Sequence, residues 1–423
     1  MSCTGWLGWR VGAVNSKCFS STMRNMKNSM RRDRPAERTS PIGDVLLLAP
    51  SRGRGGGIER YLATLEQAVD RSGAQVHRVD LLSPGRRPTL AAKAAFAARA
   101  LVAARRYAPV RCLLVGHPGL LPVAVAVAAL ARPRRSFVVF HGTDIWGTSL
   151  LRRTYLTRLA RARPLTVSSF SAGALLPLGV PVVLPPGIDP RWRQTLEETP
   201  RLAGVDGQPV VLSVFRLSEW RQKGLPELAK AIQQVRRGLG AVRLVVAGQG
   251  PAPSDLIHFL DRFDDAELRV SPSDAELAKL YAAADLFALC TRTSVRPPCS
   301  GEGFGIVLAE AQLAGCPVVA PFSGGSADAY VARVTGWSPT DESAEALAAV
   351  VLQLLSDRDC LAEAGERAQE WARTVTDPDA YAEQTCRILL GRDRPSGVMP
   401  LPRSVPRPRD ASAGQAADPM PSR

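Results

Sequence analysis

The chain has 423 residues, 45% of them hydrophobic, and carries 54 Lys and Arg against 39 Asp and Glu, a net charge of +15. That length allows two or three domains around large cores, and the ordinary apolar content excludes a wholly disordered or fibrous chain. A basic balance fits nucleic acid, an anionic membrane surface or phosphorylated substrates. Much of it lies at the ends, however. Residues 1–40 carry eight Lys and Arg against only Asp33 and Glu37, and the tail after Gly391 is rich in Pro and Arg. We read 1–40 and 393–423 as disordered extensions, so the folded part is less basic than the total.

The eight cysteines, Cys3, Cys18, Cys112, Cys290, Cys299, Cys316, Cys360 and Cys386, are scattered, with no C-x-x-C pair and no His at ligand spacing. This is the pattern of reduced thiols in a cytoplasmic protein rather than a disulfide framework or a zinc site. The N-terminus is Arg- and Ser-rich like a transit peptide but has no apolar segment behind it, and Met23, Met26 and Met30 are alternative starts. The longest apolar run, Leu120–Ala131, is too short to span a bilayer.

The expected elements begin with a buried strand at Asp44–Pro50, a glycine-rich loop Gly53–Gly57, and a helix from Ile58 to about Ser72. Strand, glycine loop and helix make a turn suited to phosphate or sugar, here centred on Gly56 and Gly57. The loop lacks a G-x-G-x-x-G fingerprint; a plain surface loop or an isolated RNA-binding RGG fragment are the competing readings. Gln75–Leu81 is the next strand. Arg86–Arg106 is an Ala-rich basic helix whose charges face either solvent, an acidic acceptor or a membrane surface. A strand at Arg111–Gly116 leads to His117-Pro118 and an apolar helix. Another at Ser136–Phe140 ends in His141-Gly142-Thr143-Asp144. Polar groups at the carboxyl ends of buried strands are where open α/β sheets bind ligands, so His141 and Asp144 are candidates. Strands at Leu165–Ser168 and Val182–Leu184 close this half, and Pro185–Pro190 reads as a hinge or domain boundary.

The alternation then restarts. A strand at Pro209–Phe215 is followed by Arg216, Lys223-Gly224 and a helix to about Arg237. A strand at Arg243–Ala247 ends in Gly248-Gln249-Gly250. Leu268–Val270 is a short strand. Ser273–Ala284 is a helix with Ser273 and Glu276 at capping-box positions. A strand at Asp285–Cys290 runs into the polar loop Thr291–Gly301. Pro317–Pro321 is a strand, Gly324-Gly325 a loop, and helices follow to about Trp371. The last helix covers about Pro378–Leu390. Two runs of strand and helix imply an α/β protein of two doubly wound, Rossmann-like domains facing across a cleft. We place them at 41–190 and 205–375, with 376–392 as a C-terminal helix packing back toward the first domain.

The stretch Glu302–Glu310, E-G-F-G-I-V-L-A-E, carries the chemistry of the second half. Gly303 and Gly305 let backbone approach a ligand closely and open a helix, whose free N–H groups and positive partial charge suit a phosphate. Eight helical residues rise about 12 Å, about the distance from a hexose to a ribose across a diphosphate. The competing reading is an amphipathic helix with both glutamates in water. Arg216 and Lys223 supply the cations a diphosphate needs. Gly248, Gly250 and Gly324-Gly325 also follow strands.

These residues together resemble the nucleotide-sugar-binding domain of the retaining family 4 glycosyltransferases, which have the GT-B fold. The match rests on Phe215-Arg216-Leu217 with Lys223-Gly224, Ala247–Gly250, Glu276-Leu277 with Tyr281 and Ala284-Asp285, the E-x7-E from Glu302 to Glu310, Ala314–Val319, Gly324-Gly325 and Thr335-Gly336. The first half matches more loosely, through Gly56–Glu59, His141-Gly142 and Pro186–Asp189. The resemblance implies that Arg216 and Lys223 hold the donor diphosphate and stabilise it as it leaves. It implies that Glu302 contacts the transferred sugar, that backbone N–H groups of Gly303, Phe304, Gly305 and Ile306 meet sugar and phosphate, and that Glu310 grips the ribose. His141 would reach the sugar from the opposite domain, and Gly56-Gly57 would border phosphates and acceptor. Phe215 stands where the family usually has Gly, and Pro186 where Asn is common. The loop Thr291–Gly301 is longer than usual.

The expected activity is transfer of a hexose or hexosamine from a UDP- or GDP-linked donor to a hydroxyl of a small-molecule, lipid or glycan acceptor, with retention. No metal is needed for the leaving group, and Asp377-Pro-Asp379 reads as a helix cap rather than a metal site. A sugar-nucleotide epimerase, a phosphorylase and a non-catalytic nucleotide-sugar binder are the rival readings. No aromatic-interleaved basic module points to nucleic acid. The Ala-, Arg- and Pro-rich composition fits a GC-rich bacterial genome and a role in antibiotic or cell-envelope sugar chemistry, in the cytoplasm or at the inner face of the membrane.

Overall fold

A computed structural model of the chain describes residues 44–391, apart from 54–55, 84–88, 146–149, 203–206 and 295–300. The expected terminal extensions, and residues 295–300 of the loop Thr291–Gly301, lie outside the described residues.

The first half runs β1 (Val45–Ser51), α1 (Gly57–Arg71), β2 (Val76–Leu82), α2 (Leu90–Tyr107), β3 (Cys112–Val115), α3 (Leu121–Ala131), β4 (Arg135–Phe140), α4 (Leu150–Leu159), β5 (Arg163–Thr166), α5 (Ser169–Leu175) and β6 (Val182–Val183). After α6 (Pro190–Glu198) the second half runs β7 (Val210–Val214), α7 (Leu225–Leu239), β8 (Arg243–Gly248), α8 (Ser254–Leu260), β9 (Ala266–Val270), α9 (Asp274–Ala283), β10 (Leu286–Ala288), α10 (Ile306–Leu313), β11 (Val318–Val319) and β12 (Gly336–Trp337). Helices α11 (Ala344–Leu355), α12 (Arg358–Val375) and α13 (Pro378–Leu390) finish the chain.

The strands form two six-stranded sheets in the orders β2-β1-β3-β4-β5-β6 and β12-β11-β10-β7-β8-β9. Every pairing is parallel, from β1 with β2 and β3 to β11 with β12. The direction of strand addition reverses between β1 and β3 and between β7 and β10, and such reversal points open a crevice at the carboxyl ends. Glycine loop and His117 flank the first; Arg216 and the approach to Glu302 flank the second.

Parallel strands covered on both faces must be apolar throughout, and β1 shows how the two faces divide. Val45, Leu47 and Ala49 point into a core shared by both halves, while Leu46 and Leu48 point into the outer core of the first half with Phe96 and Phe140. In the second half Leu212 and Phe287 enter the shared core, and Val211, Leu286 and Trp220 enter an outer one.

Pro185–Pro190 lies between the last strand of the first sheet and the helix that precedes the second. Asp189 accepts from the backbone N–H groups of Arg191 and Trp192 and starts α6, with Pro190 in the first turn where its missing N–H costs nothing. Leu196 of that helix enters the shared core and Trp192 packs against it. At the far end Asp377 caps α13 through Asp379 and Ala380 N–H groups. Helix α13 then returns to the first half: Arg71 pairs with Asp379 at 2.7 Å, and Arg111 donates to the Leu390 carbonyl at 2.7 Å. Among the described residues, no helix is long and apolar enough to cross a membrane.

Candidate active site

The two halves meet at Gly303. A Cβ built there would lie 2.0 Å from the His141 carbonyl oxygen, so only glycine allows this approach. Gly142, at φ +150°, sits against the same backbone. Gly325 is equally tight against the Gly303 carbonyl, and its N–H donates to the Glu302 carbonyl at 2.8 Å. A second bridge lies beside it. Asp328 accepts from the Ser169 N–H and hydroxyl, both at 2.6 Å, tying the loop after β11 to the start of α5.

Helix α10 starts at Ile306 rather than at Gly303, because Gly305 takes the left-handed conformation (φ 79°, ψ 59°) and caps it without any side-chain partner. The N–H groups of Gly303, Phe304, Gly305 and Ile306 donate to no group among the described residues. Four successive N–H groups at a helix start, without partners among the described residues, are free to take an anion. The Phe304 side chain itself is 8% exposed and belongs to the shared core. Its contribution to a ligand is therefore limited to backbone.

Glu302 lies at the mouth of this turn. One carboxylate oxygen accepts from Lys223 Nζ at 3.0 Å and from the Thr291 hydroxyl at 2.9 Å. The other has no partner among the described residues. Burial pulls the Lys223 ammonium down, but the Glu302 charge outweighs it and holds Lys223 protonated, above its ordinary range. Arg216 extends from the end of β7, half exposed, and pairs with Glu219 at 3.2 Å. Its guanidinium lies against Gly56: a Cβ there would come within 2.3 Å of it, and Gly56 has φ +109°. Gly57 starts α1 with open space around it. Thus Gly56 touches Arg216, the Arg216 charge reaches Lys223, and Lys223 pairs with Glu302 next to the free N–H groups.

Glu310 departs from expectation. Its side chain is 2% exposed. One oxygen accepts from Arg60 at 3.3 Å and Trp192 Nε1 at 3.0 Å, the other from the Tyr281 hydroxyl at 3.1 Å. It is neither in water nor open to a ribose in this conformation. The helical part between the two glutamates is also shorter than a full eight residues. From Ile306 to Glu310 the rise is about 6 Å.

Gly248 supports the fold rather than a ligand, since a Cβ there would fall 1.8 Å from the Phe215 carbonyl of the adjoining strand. Gly250, at φ +97°, faces open space and donates to Ser271 Oγ at 3.1 Å. Asp144 turns inward. Its carboxylate accepts from the N–H groups of His141 at 2.9 Å and Gly142 at 2.8 Å, so it positions the turn instead of meeting an acceptor. His141 Nε2 donates to the Gly116 carbonyl at 2.8 Å. Sequence reasoning gave no role to Arg60, Trp192, Thr291 or His117. For His117 a signal existed, since it directly follows a buried strand. For Trp192 there was none, because no helix is expected between Pro190 and the strand at Pro209.

The sequence profile of the glycosyl transferases group 1 matches residues 196–371. The chain is 30% identical over 283 residues to a GDP-mannose-dependent alpha-(1-6)-phosphatidylinositol monomannoside mannosyltransferase of Mycobacterium tuberculosis, covering 63% of this chain and 72% of that protein. It is 29% identical over 264 residues to a putative colanic acid biosynthesis glycosyltransferase, WcaL, of Salmonella typhimurium, covering 59% and 63%. The structure of Anabaena HepE in complex with UDP and glucose superposes with a TM-score of 0.60 at 21% identity, over 82% of this chain and 99% of that one. The cleft between two doubly wound sheets is that of a GT-B protein. The chain belongs to the glycosyl transferases group 1 family.

Burial, partly offset by Asp144, pulls the His141 imidazole below its ordinary pKa, and burial does the same to His117. Both bind a proton more readily in the unfolded chain. Their contribution to stability is therefore complete above about pH 6.5 and shrinks as the pH falls below that value. The urea midpoint of the wild-type protein should be lower near pH 5.5 than near pH 7.5, and His141→Gln should reduce that decline. A wild-type midpoint that does not fall contradicts this.

Proposed function

We propose that this protein is a retaining hexosyltransferase whose donor is a GDP- or UDP-linked hexose, with GDP-mannose the first candidate. The observation that carries the reading is the set of N–H groups from Gly303 to Ile306 without partners among the described residues, next to Glu302, whose Lys223 partner also feels the Arg216 charge. The donor diphosphate would lie on the N–H groups with Arg216 above it, and Glu302 would accept from the sugar hydroxyls. Preorganised charge of this kind is commonly the main source of an enzyme's rate enhancement. The GDP-mannose dependence named for the mycobacterial relative favours mannose, and the colanic acid relative favours a cell-envelope acceptor over an antibiotic one.

The bond from sugar C1 to the diphosphate oxygen breaks as the acceptor hydroxyl oxygen attacks C1 from the same face. Its proton passes to the departing phosphate oxygen. Arg216 and the N–H groups neutralise the charge that builds up there, so the leaving group needs no metal. Glu302 orients the sugar, because one of its oxygens is already held by Lys223 and Thr291. For Glu310 to reach a ribose, Arg60 would first have to give up its contact.

Nucleotide release and product formation with a panel of GDP- and UDP-hexoses test this. Arg216→Ala, Lys223→Ala and Glu302→Ala should each lower kcat about 100- to 1,000-fold with the fold intact. Near wild-type rates in all three overturn the assignment. Donor binding without turnover, consumption of phosphate, or sugar interconversion without an acceptor would each point to a different activity.

The acceptor side suggests an anionic membrane surface. Helix α2 has no acidic residue, and it exposes Lys93, Arg105 and Arg106 together with Leu90 (84% exposed) and Val102 (66% exposed). This is the composition of a helix resting on anionic headgroups. Co-sedimentation with vesicles containing phosphatidylglycerol should fall several-fold in Lys93→Glu/Arg106→Glu. Equal binding by that variant, or none by wild type, contradicts the contact.

A further inference from the structure

Two imidazoles stand side by side where the first sheet reverses its direction of strand addition. His117 follows β3 and His141 follows the adjacent β4, with Val115 opposite Val138 in register. Their ring planes lie within 13° of parallel and their centroids 6.5 Å apart. His141 is also the residue whose carbonyl meets Gly303, so the pair adjoins the turn that carries Glu302.

Hydrogen bonds determine which nitrogen of each ring carries the proton. A carbonyl oxygen can only accept, so the 2.8 Å contact from His141 Nε2 to the Gly116 carbonyl places the hydrogen on Nε2 and leaves Nδ1 with a lone pair. A backbone N–H can only donate, so the 3.0 Å contact from Gly119 N to His117 Nδ1 leaves Nδ1 bare and places the hydrogen on Nε2. Both rings are thus the same tautomer, yet they present opposite faces of its chemistry. His141 has an acceptor to offer and His117 a donor. Neither of these two nitrogens has a partner among the described residues. The nearest charges are engaged with other groups. The Asp144 carboxylate is taken up by the His141 and Gly142 N–H groups, and Arg153 donates to the Asp144 carbonyl. Burial favours the neutral form of both rings, so neither becomes a pure donor at neutral pH.

A fixed acceptor beside a fixed donor matches two neighbouring hydroxyls of one sugar. One hydroxyl gives its proton to His141 Nδ1, and the next accepts from His117 Nε2. Two hydrogen bonds of about 2.8 Å and the gap between vicinal oxygens together reach up to roughly 8 Å from nitrogen to nitrogen, a span comparable with that between nitrogens of two rings whose centroids are 6.5 Å apart.

We propose that His117 is a second sugar-contacting residue, which with His141 forms a donor–acceptor clamp on a vicinal diol of the transferred hexose. This rests on the glycosyl-transfer reading and narrows it, because a donor sugar lacking either hydroxyl would be discriminated against.

The chain has four histidines, which makes the assignment directly observable. In 15N-histidine spectra near pH 7, with signals assigned by single substitutions, His117 and His141 should both be neutral with the proton on Nε2. Addition of a slowly turned-over donor, GDP-mannose or UDP-glucose without acceptor, should shift the His141 Nδ1 and His117 Nε2 signals. A His117 proton on Nδ1, or a doubly protonated His117, overturns the clamp whether or not the protein shows activity. In kinetics, one monodeoxy analogue of the accepted donor should cost the wild type about 10- to 100-fold in kcat/KM. His117→Ala should lose as much with the parent donor and nothing further with that analogue, and His117→Gln, which keeps an N–H donor, should recover part of the loss. If His117→Ala stays within about twofold of wild type, or its loss multiplies with that of every analogue, the clamp is wrong. Absence of turnover by the wild type counts instead against glycosyl transfer itself.

Discussion

The site depends on one contact between two backbones. The His141 carbonyl rests so close to Gly303 that no side chain fits between them. This brings the end of β4 in one sheet onto the turn before α10 in the other. Four N–H groups of that turn have no partner among the described residues. Asp328, bonded to the start of α5, holds the same seam a few residues away. Neither half alone has a complete site. Arg216 belongs to the second sheet but lies against Gly56 of the first.

The two glutamates of the E-x7-E stretch have different environments, and this follows from where the helix begins. The left-handed Gly305 delays α10 to Ile306, so Glu302 stays on the turn with one oxygen open, while Glu310 sits in the second helical turn beneath Arg60, Trp192 and Tyr281. A buried carboxylate with three donors is well satisfied, and removing one of them leaves charge uncompensated. Arg60 is half exposed and comes from the opposite half, which makes it the partner most easily exchanged for a ligand hydroxyl. Lys223 is likewise committed to Glu302, so Arg216 and the N–H groups are left to meet the diphosphate first.

Much of the architecture was legible in the chain because parallel strands buried on both faces read as short apolar runs, and those runs alternate with amphipathic helices. The capping box at Ser273 and Glu276 and the cap at Asp377 are both present in the structure. Arg216 and His141 stand out as candidates because each follows directly on a buried strand, and Glu302 because a glycine turn and a helix follow it. Tertiary contacts were not. Nothing local marks Gly248 as the place where a strand carbonyl needs room, or Asp144 as a brace for the His141 turn. The proline-rich segment Pro185–Pro190 gives no sign that Asp189 caps a helix, α6. The strand at Gly336-Trp337 is two residues long, too short for any periodicity to show.

The most direct test of the central claim is to observe the glycine N–H groups of the turn themselves. With 15N-glycine labelling, the Gly303 and Gly305 amide signals should move downfield on addition of GDP or UDP to the intact protein, and in Arg216→Ala they should do so only at higher nucleotide concentration. If nucleotide binds while these two amides stay unchanged, the diphosphate lies elsewhere and the turn before α10 is not the donor site.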